Sequence, residues 1–374
     1  MRSGLKRRGF VLVLMLALAL VAAACSSDSS GDETTTTTTT AAPNANAVKT
    51  CLVTDLAGVD DRSFNASAWQ GVEDAVAAGF ATEDSFFLES ADGSDWQPNI
   101  DQMISQDCEH IVTVGFALGE VTAINAAANP DITWTMIDNV LTDENFAPLG
   151  LPNVRELVYQ TDQAAFAAGY LAAGVTQTGV TCTYGGGNFP TVSIFMDGFT
   201  RGVAHYNEIK GADVSVLGWD SEAGDGVFTG SFTDMDLARS TAESLFQEDC
   251  DVIIPVGGAI NLPAGDLINE GQGLAMVGVD ADAYFAMPEQ YQPVWLTTVE
   301  KAIAPFITLA VQEQVEGTWT AGAFKGDLQN GGVGLSPFHD FDASVSGELK
   351  AEVVQLLDDI KSGVIKADFT PVGY

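Results

Sequence analysis

Basic residues, histidines and the motifs of nucleotide or metal chemistry are scarce in this chain, and each scarcity narrows what it can do. Fifteen lysines and arginines stand against 51 aspartates and glutamates, a net charge of −36. Such a surface repels nucleic acid, which argues against that class of partner. The histidines, His110, His205 and His339, lie far apart and there is no Cys-x-x-Cys, so no zinc-ligand spacing is present. No Walker A sequence, Gly-x-Gly-x-x-Gly fingerprint or Gly-x-Ser-x-Gly elbow occurs. Gly185-Gly186-Gly187 follows a strand pattern but runs into Asn188-Phe189-Pro190, a poor fit to a dinucleotide turn. Acidic residues are so numerous that any carboxylate pair says little for glycosidase chemistry. No nucleophile, base, metal or cofactor site is marked, and none is expected.

Long hydrophobic runs are also missing beyond the start. Arg2, Lys6, Arg7 and Arg8 precede an apolar stretch, Phe10 to Val21, and then Ala22-Ala23-Ala24-Cys25. This reads as a secretory signal over residues 1–24, too short to span a bilayer. Small residues before a cysteine resemble a bacterial lipobox, which makes Cys25 the lipidated first residue of an exported protein held to the outer face of the cell membrane by lipid alone. The alternative is an ordinary signal peptide with Cys25 unmodified. Residues 25–47, with a threonine run from Thr34 to Thr40, cannot bury a core and read as a flexible tether. Without the four basic residues of the leader the charge is −40, read as a solvating coat. About 327 residues remain, enough for two domains.

Four further cysteines allow three pairings. Cys51 and Cys108 border apolar runs in the first half, and Cys182 and Cys250 occupy matching places in the second. If the halves share one fold, the pairs are Cys51–Cys108 and Cys182–Cys250, each joining neighbouring strands of one lobe. Four buried free thiols are the alternative.

Short β-type runs alternate with helical stretches. Candidate strands are 51–55, 86–89, 110–115, 133–138 and 156–160, then 180–184, 214–218, 252–257 and 275–280. Candidate helices are 67–78, 119–128, 198–207, 237–247, 264–270, 302–314 and 347–360. Such alternation implies α/β architecture with parallel sheets and crossover helices. The almost wholly apolar Ile111–Val114 and Val252–Val256 suit strands covered on both faces. Two doubly wound lobes facing across a cleft are expected, lobe I from 48–160 and lobe II from 161–300, with 301–374 shared between them. The run Val294–Val299 reads as a segment crossing between lobes.

Polar and aromatic residues gather at the ends of these strands: Asp55, Phe64, Asn65, Asp138, Phe232, Gly258, Asp280 and Lys301. Open α/β sheets bind ligands beyond the carboxyl ends of their strands. Within Asp60-Asp61-Arg62-Ser63-Phe64-Asn65, Phe64 offers a flat apolar face and Asn65 both a donor and an acceptor, which suits a small planar polar molecule. Taken singly, each residue also has a plain reading: a phenylalanine in the core, an aspartate capping a helix, a lysine at the surface.

Asp60-Asp61-Arg62-Ser63-Phe64-Asn65, Gly230-Ser231-Phe232-Thr233-Asp234, Gly278-Val279-Asp280-Ala281-Asp282 and Leu296-Thr297-Thr298-Val299-Glu300-Lys301 occur in this order. Together they resemble the basic membrane protein (PnrA-like) family, lipoprotein substrate-binding components of ABC transporters. The resemblance runs from about residue 50 to 340. It implies the type I periplasmic-binding-protein fold, two lobes joined by a multi-segment hinge, no enzymatic activity, and a permease as partner of a monomeric receptor. In nucleoside-binding members two phenylalanines sandwich the base. By motif match these are Phe64 and Phe232, with Asn65 beside them. Asp55 and Asp138 supply carboxylates, Gly258 closes a strand, and Asp280 and Lys301 face the ribose. The alternatives are a ligand-sensing receptor of the same fold, an exported hydrolase, or a structural surface lipoprotein whose cleft would be filled.

Overall fold

The computed structural model describes residues 45–370. The leader at 1–24, Cys25 and all but the last three residues of the tether lie outside the described residues.

Lobe I begins with β1 (Thr50–Val53), α1 (Phe64–Ala77), β2 (Phe86–Leu88), α2 (Trp96–Ser105), β3 (His110–Val114), α3 (Gly119–Ala128), β4 (Thr133–Ile137) and β5 (Val154–Tyr159). Lobe II follows with α4 (Thr161–Val175), β6 (Val180–Gly185), α5 (Pro190–Lys210), β7 (Ser215–Leu217), a small hairpin of β8 (Trp219–Asp220) and β9 (Asp225–Gly226), α6 (Met235–Phe246), β10 (Val252–Val256), α7 (Leu262–Asn269), β11 (Ala275–Asp280), α8 (Ala283–Ala286) and β12 (Trp295–Lys301). The chain closes with α9 (Ile303–Glu316), β13 (Gly322–Gly326), β14 (Val333–Leu335) and α10 (Gly347–Lys361).

The two main sheets have the same pattern, β13-β5-β4-β3-β1-β2 and β14-β12-β11-β10-β6-β7. All pairings are parallel except β12 with β14. β1, β3, β10 and β11 are buried at every residue, which is why they read as continuous apolar runs instead of alternating ones. Each lobe carries a disulfide at the matching place. Cys51 of β1 joins Cys108 ahead of β3, and Cys182 of β6 joins Cys250 ahead of β10.

The chain passes between the lobes at three points: Gln160 after β5, Ala302 after β12, and the turn from β13 to β14. The run 294–299 is therefore not itself a crossing. All of it but Val294 lies in β12, which is paired on both sides within lobe II, because a strand buried on both faces needs a ladder on each flank. The crossing starts directly after Lys301.

α4 was not legible in the sequence. Thirteen of its 15 residues are buried, so it has no polar face and no period to read. It packs backbone to backbone on α5: a Cβ on Gly169 would meet the Phe199 carbonyl, and one on Gly202 the Phe166 carbonyl. This contact fixes the wall of lobe II from which α5 faces the cleft.

Candidate ligand-binding site

Every residue singled out at a strand end borders the cleft between the lobes. Asp55 follows β1, and Phe64 and Asn65 open α1, which starts three residues earlier than its pattern suggested. The reason is Asp61, whose carboxylate accepts from the backbone N–H of Ser63 (2.9 Å), Asn65 (2.8 Å) and Ala66 (3.0 Å). These are orphan donors of a helix N-terminus, where negative charge is also favoured. Capping at this point carries Phe64 into the cleft as the first helical residue.

Asn65 orients its neighbour. Its Nδ2 donates to Asp55 Oδ1 (2.7 Å) and Asp61 Oδ2 (3.0 Å), and its Oδ1 accepts from the Asp55 N–H (3.3 Å). Asp55 is thereby held toward the slot. Burial pushes its pKa up to about 6, against the hydrogen bonds from Asn65 and Ala57 and with help from the nearby charges of Asp61 and Asp138.

On the opposite side Phe232 lies flat on strand-end backbone. A Cβ on Gly186 would stand 2.3 Å from its ring, and one on Gly257 2.8 Å. Glycine at these positions makes a floor that no other residue would leave open. Gly258, in a left-handed conformation at φ 56°, abuts Asp61 of lobe I, where a Cβ would lie 3.3 Å from that residue. Phe189 stacks on Phe232 with ring centres 6.2 Å apart and planes within 8°, and Phe116 of lobe I meets Phe189 at 5.9 Å.

The carboxylates of Asp138 and Asp280 end β4 and β11, equivalent strands of the two sheets, and both residues have positive φ (63° and 69°). Such conformations are disfavoured for residues with a side chain and cluster at functional sites. Between them lies Lys301 Nζ, 2.6 Å from Asp138 Oδ2 and 3.5 Å from Asp280 Oδ1. The rings of Phe64, Phe195 and Tyr159 surround the ammonium at 5.0, 5.1 and 5.6 Å. Burial alone lowers the pKa of Lys301, but the two carboxylates outweigh it and hold the amine protonated. Ser63 Oγ donates to Asp280 Oδ2 (3.1 Å) and to the Val279 carbonyl (3.0 Å), a second tie between the lobes.

The eight expected residues all line one slot with a free volume of about 80 Å³. Phe64 and Phe232 border this shared void and are not buried in separate cores. Phe116, Phe189 and Asp61 also line this slot and were not singled out from the sequence. Phe116 and Phe189 each stand just beyond a strand-end glycine, and that position was the available signal. The slot offers two half-buried aromatic rings, carboxylates as acceptors, and a lysine whose charge is already balanced. It suits a flat, uncharged ligand rich in hydrogen-bond donors.

Residues 48–368 match the family model described as ABC transporter substrate-binding protein PnrA-like. The chain is 26% identical to the ABC transporter nucleoside-binding protein BmpA of Lactococcus lactis over 85% of this chain and 88% of that one. It is 24% identical to basic membrane protein A of Borreliella burgdorferi, over 86% of each. Among solved structures it resembles an ABC transporter solute-binding protein of Aeropyrum pernix, with TM-score 0.74 and 22% identity over 85% of this chain and 92% of that one. A solute-binding protein of Conexibacter woesei gives TM-score 0.64 and 21% identity over 87% and 100%. With the same strand order in both lobes and a cleft between them, the fold is that of type I periplasmic binding proteins, and the chain belongs to the basic membrane protein family of ABC transporter substrate-binding proteins.

Proposed function

We propose that the protein is a lipid-anchored receptor that closes on a purine nucleoside and hands it to the permease of an ABC importer. The observation that carries this reading is the shared slot of Phe64 and Phe232, flanked by Asp55, Asp138, Asp280 and Lys301. Two aromatic faces bury a purine, each stacking contact contributing roughly 1–3 kcal/mol. Asp55 accepts from the base edge, while Asp138, Asp280 and Lys301 take the ribose hydroxyls. Phosphate is rejected because Lys301 is already neutralised by two carboxylates and no other cation among the described residues lines the slot. The name of the Lactococcus lactis relative agrees with a nucleoside ligand.

About 80 Å³ is well below the ~300 Å³ usual for small-molecule sites. Loading therefore requires the lobes to part at the three crossings and re-close on the ligand. Calorimetric titration against adenosine, guanosine, inosine and free bases tests the ligand. Saturable heat with nucleosides is expected, and silence across the panel rejects the reading. Anchoring through Cys25 is tested by metabolic labelling with a fatty acid, where a Cys25→Ser chain should take up none. A single monomeric species is expected in sedimentation.

A further inference from the structure

The pair Phe64 and Phe232 does not account for every ring in the slot. Phe189 lines it beside Phe232. The planes of these two rings agree within 8° and their centres are 6.2 Å apart. Both rest on one strip of glycine backbone that follows β6. A Cβ on Gly186 would stand 2.3 Å from Phe232, and one on Gly187 3.0 Å from Phe189 and 3.2 Å from Phe232. A side chain at Gly187 would press on both rings at once, so glycine there keeps them on a common bed. Phe116 of lobe I meets Phe189 at 5.9 Å, which puts the Phe189 ring in the cleft between the lobes.

A phenylalanine at this point does little for the helix it precedes. Phe189 is the N-cap of α5, in extended backbone, and its side chain makes no cap hydrogen bond. Serine, threonine, aspartate or asparagine would satisfy an orphan N–H there and stabilise the helix. Phe189 forgoes that contribution and is only half-buried, so its ring also stops short of full core burial. What it supplies is a flat face beside Phe232. Two parallel rings on one bed make a longer aromatic wall than one. A fused two-ring base can overlap both, and a one-ring base only one. We propose that Phe189 is a specificity-determining residue, extending the Phe232 wall so that the slot favours the two-ring bases of purine nucleosides over the single ring of pyrimidine nucleosides. The inference rests on the nucleoside reading of the slot.

The test is calorimetric titration of the purified protein and its Phe189→Leu and Phe189→Tyr variants with adenosine, guanosine and inosine, and with uridine as competitor. Leucine keeps apolar bulk but has no flat face, and losing one stacking ring costs about fivefold or more in affinity. Phe189→Leu should therefore weaken the tightest-binding purine nucleoside at least fivefold. Uridine should lose less than twofold, and no displacement by uridine from either protein counts as no loss. Phe189→Tyr, which restores a ring, should bind that purine nucleoside at least threefold tighter than Phe189→Leu does. A purine loss under fivefold, a uridine loss of twofold or more, or a tyrosine variant that misses its threefold recovery overturns this inference alone. Wild-type protein silent to all three purine nucleosides overturns the slot reading and this inference together.

Discussion

Lys301 and Asp138 form a buried ion pair, 2.6 Å from Nζ to Oδ2, that joins the end of β12 in lobe II to the end of β4 in lobe I. Breaking one partner of such a pair typically costs ~3–5 kcal/mol, because the other charge is left uncompensated in a poorly hydrated place. Here the two directions differ. Lys301→Met leaves the carboxylates of Asp138 and Asp280 facing one another, whereas Asp138→Asn leaves Lys301 with Asp280. Thermal melts should therefore show Lys301→Met as the more destabilised, with the double variant Lys301→Met/Asp138→Asn recovering part of the loss. Equal melting points for the two single variants would reject this asymmetry, and wild-type melting points in both would mean the pair contributes no latch.

The aromatic slot predicts a different pattern. Phe64→Ala and Phe232→Ala should each weaken ligand binding by about 1–3 kcal/mol, roughly five- to over hundredfold, with smaller effects on stability because both rings are only partly buried. Gly186→Ala should act through Phe232: its new methyl would stand 2.3 Å from the ring and must displace it. A loss of affinity in Gly186→Ala that disappears in the Phe232→Ala background would confirm the floor, and additive losses would reject it.

Much of this is legible in the order of the amino acids alone. β1, β3, β10 and β11 are buried on both faces, and continuous apolar runs announce that arrangement directly. The strand-end positions of Asp55 and Asp280 followed from the runs of β1 and β11, and those of Asp138 and Lys301 from the runs of β4 and β12. What could not be read depends on convergence. α4 is buried nearly all round, so no alternation of apolar and exposed polar faces distinguishes it. Phe116 and Phe189 look like any core phenylalanine until β3 and β6 are brought face to face. Asp61 lines the slot, but its oxygens are spent on the first turn of α1 and on the Asn65 side chain.

Asp55 ties binding to pH. Its pKa is raised to about 6, chiefly by burial. If its carboxylate accepts a hydrogen bond from the ligand, affinity should be constant above pH 7 and fall as pH drops through 6. The empty protein should respond in the opposite sense. A carboxyl whose folded pKa exceeds its unfolded one binds more protons when folded, so this group's penalty is relieved as pH falls from above 6 toward 3.8. Titrations from pH 5 to 8 should show the decline in the wild type and a flat profile in Asp55→Asn. A decline that persists in that variant would assign the titration elsewhere.

His110 predicts the reverse slope for stability. It is fully buried on β3, with Nδ1 2.6 Å from Gln314 Oε1 and Nε2 2.8 Å from Thr135 Oγ1. Burial pulls its pKa down to about 4, with the Gln314 hydrogen bond opposing and the Arg155 charge reinforcing the shift. The unfolded chain takes up this proton near pH 6.5 and the folded one only near 4, so stability from this site is intact above 6.5 and lost progressively down to 4. At about 1.4 kcal/mol per unit, the full loss is roughly 3 kcal/mol. His110→Gln, neutral throughout and able to keep polar contacts on both sides, should lower the melting temperature at pH 7 yet flatten its dependence between pH 6.5 and 4. Denaturant melts of both proteins at pH 7, 5.5 and 4.5 decide the matter: parallel curves would place the acid sensitivity in the carboxylates instead.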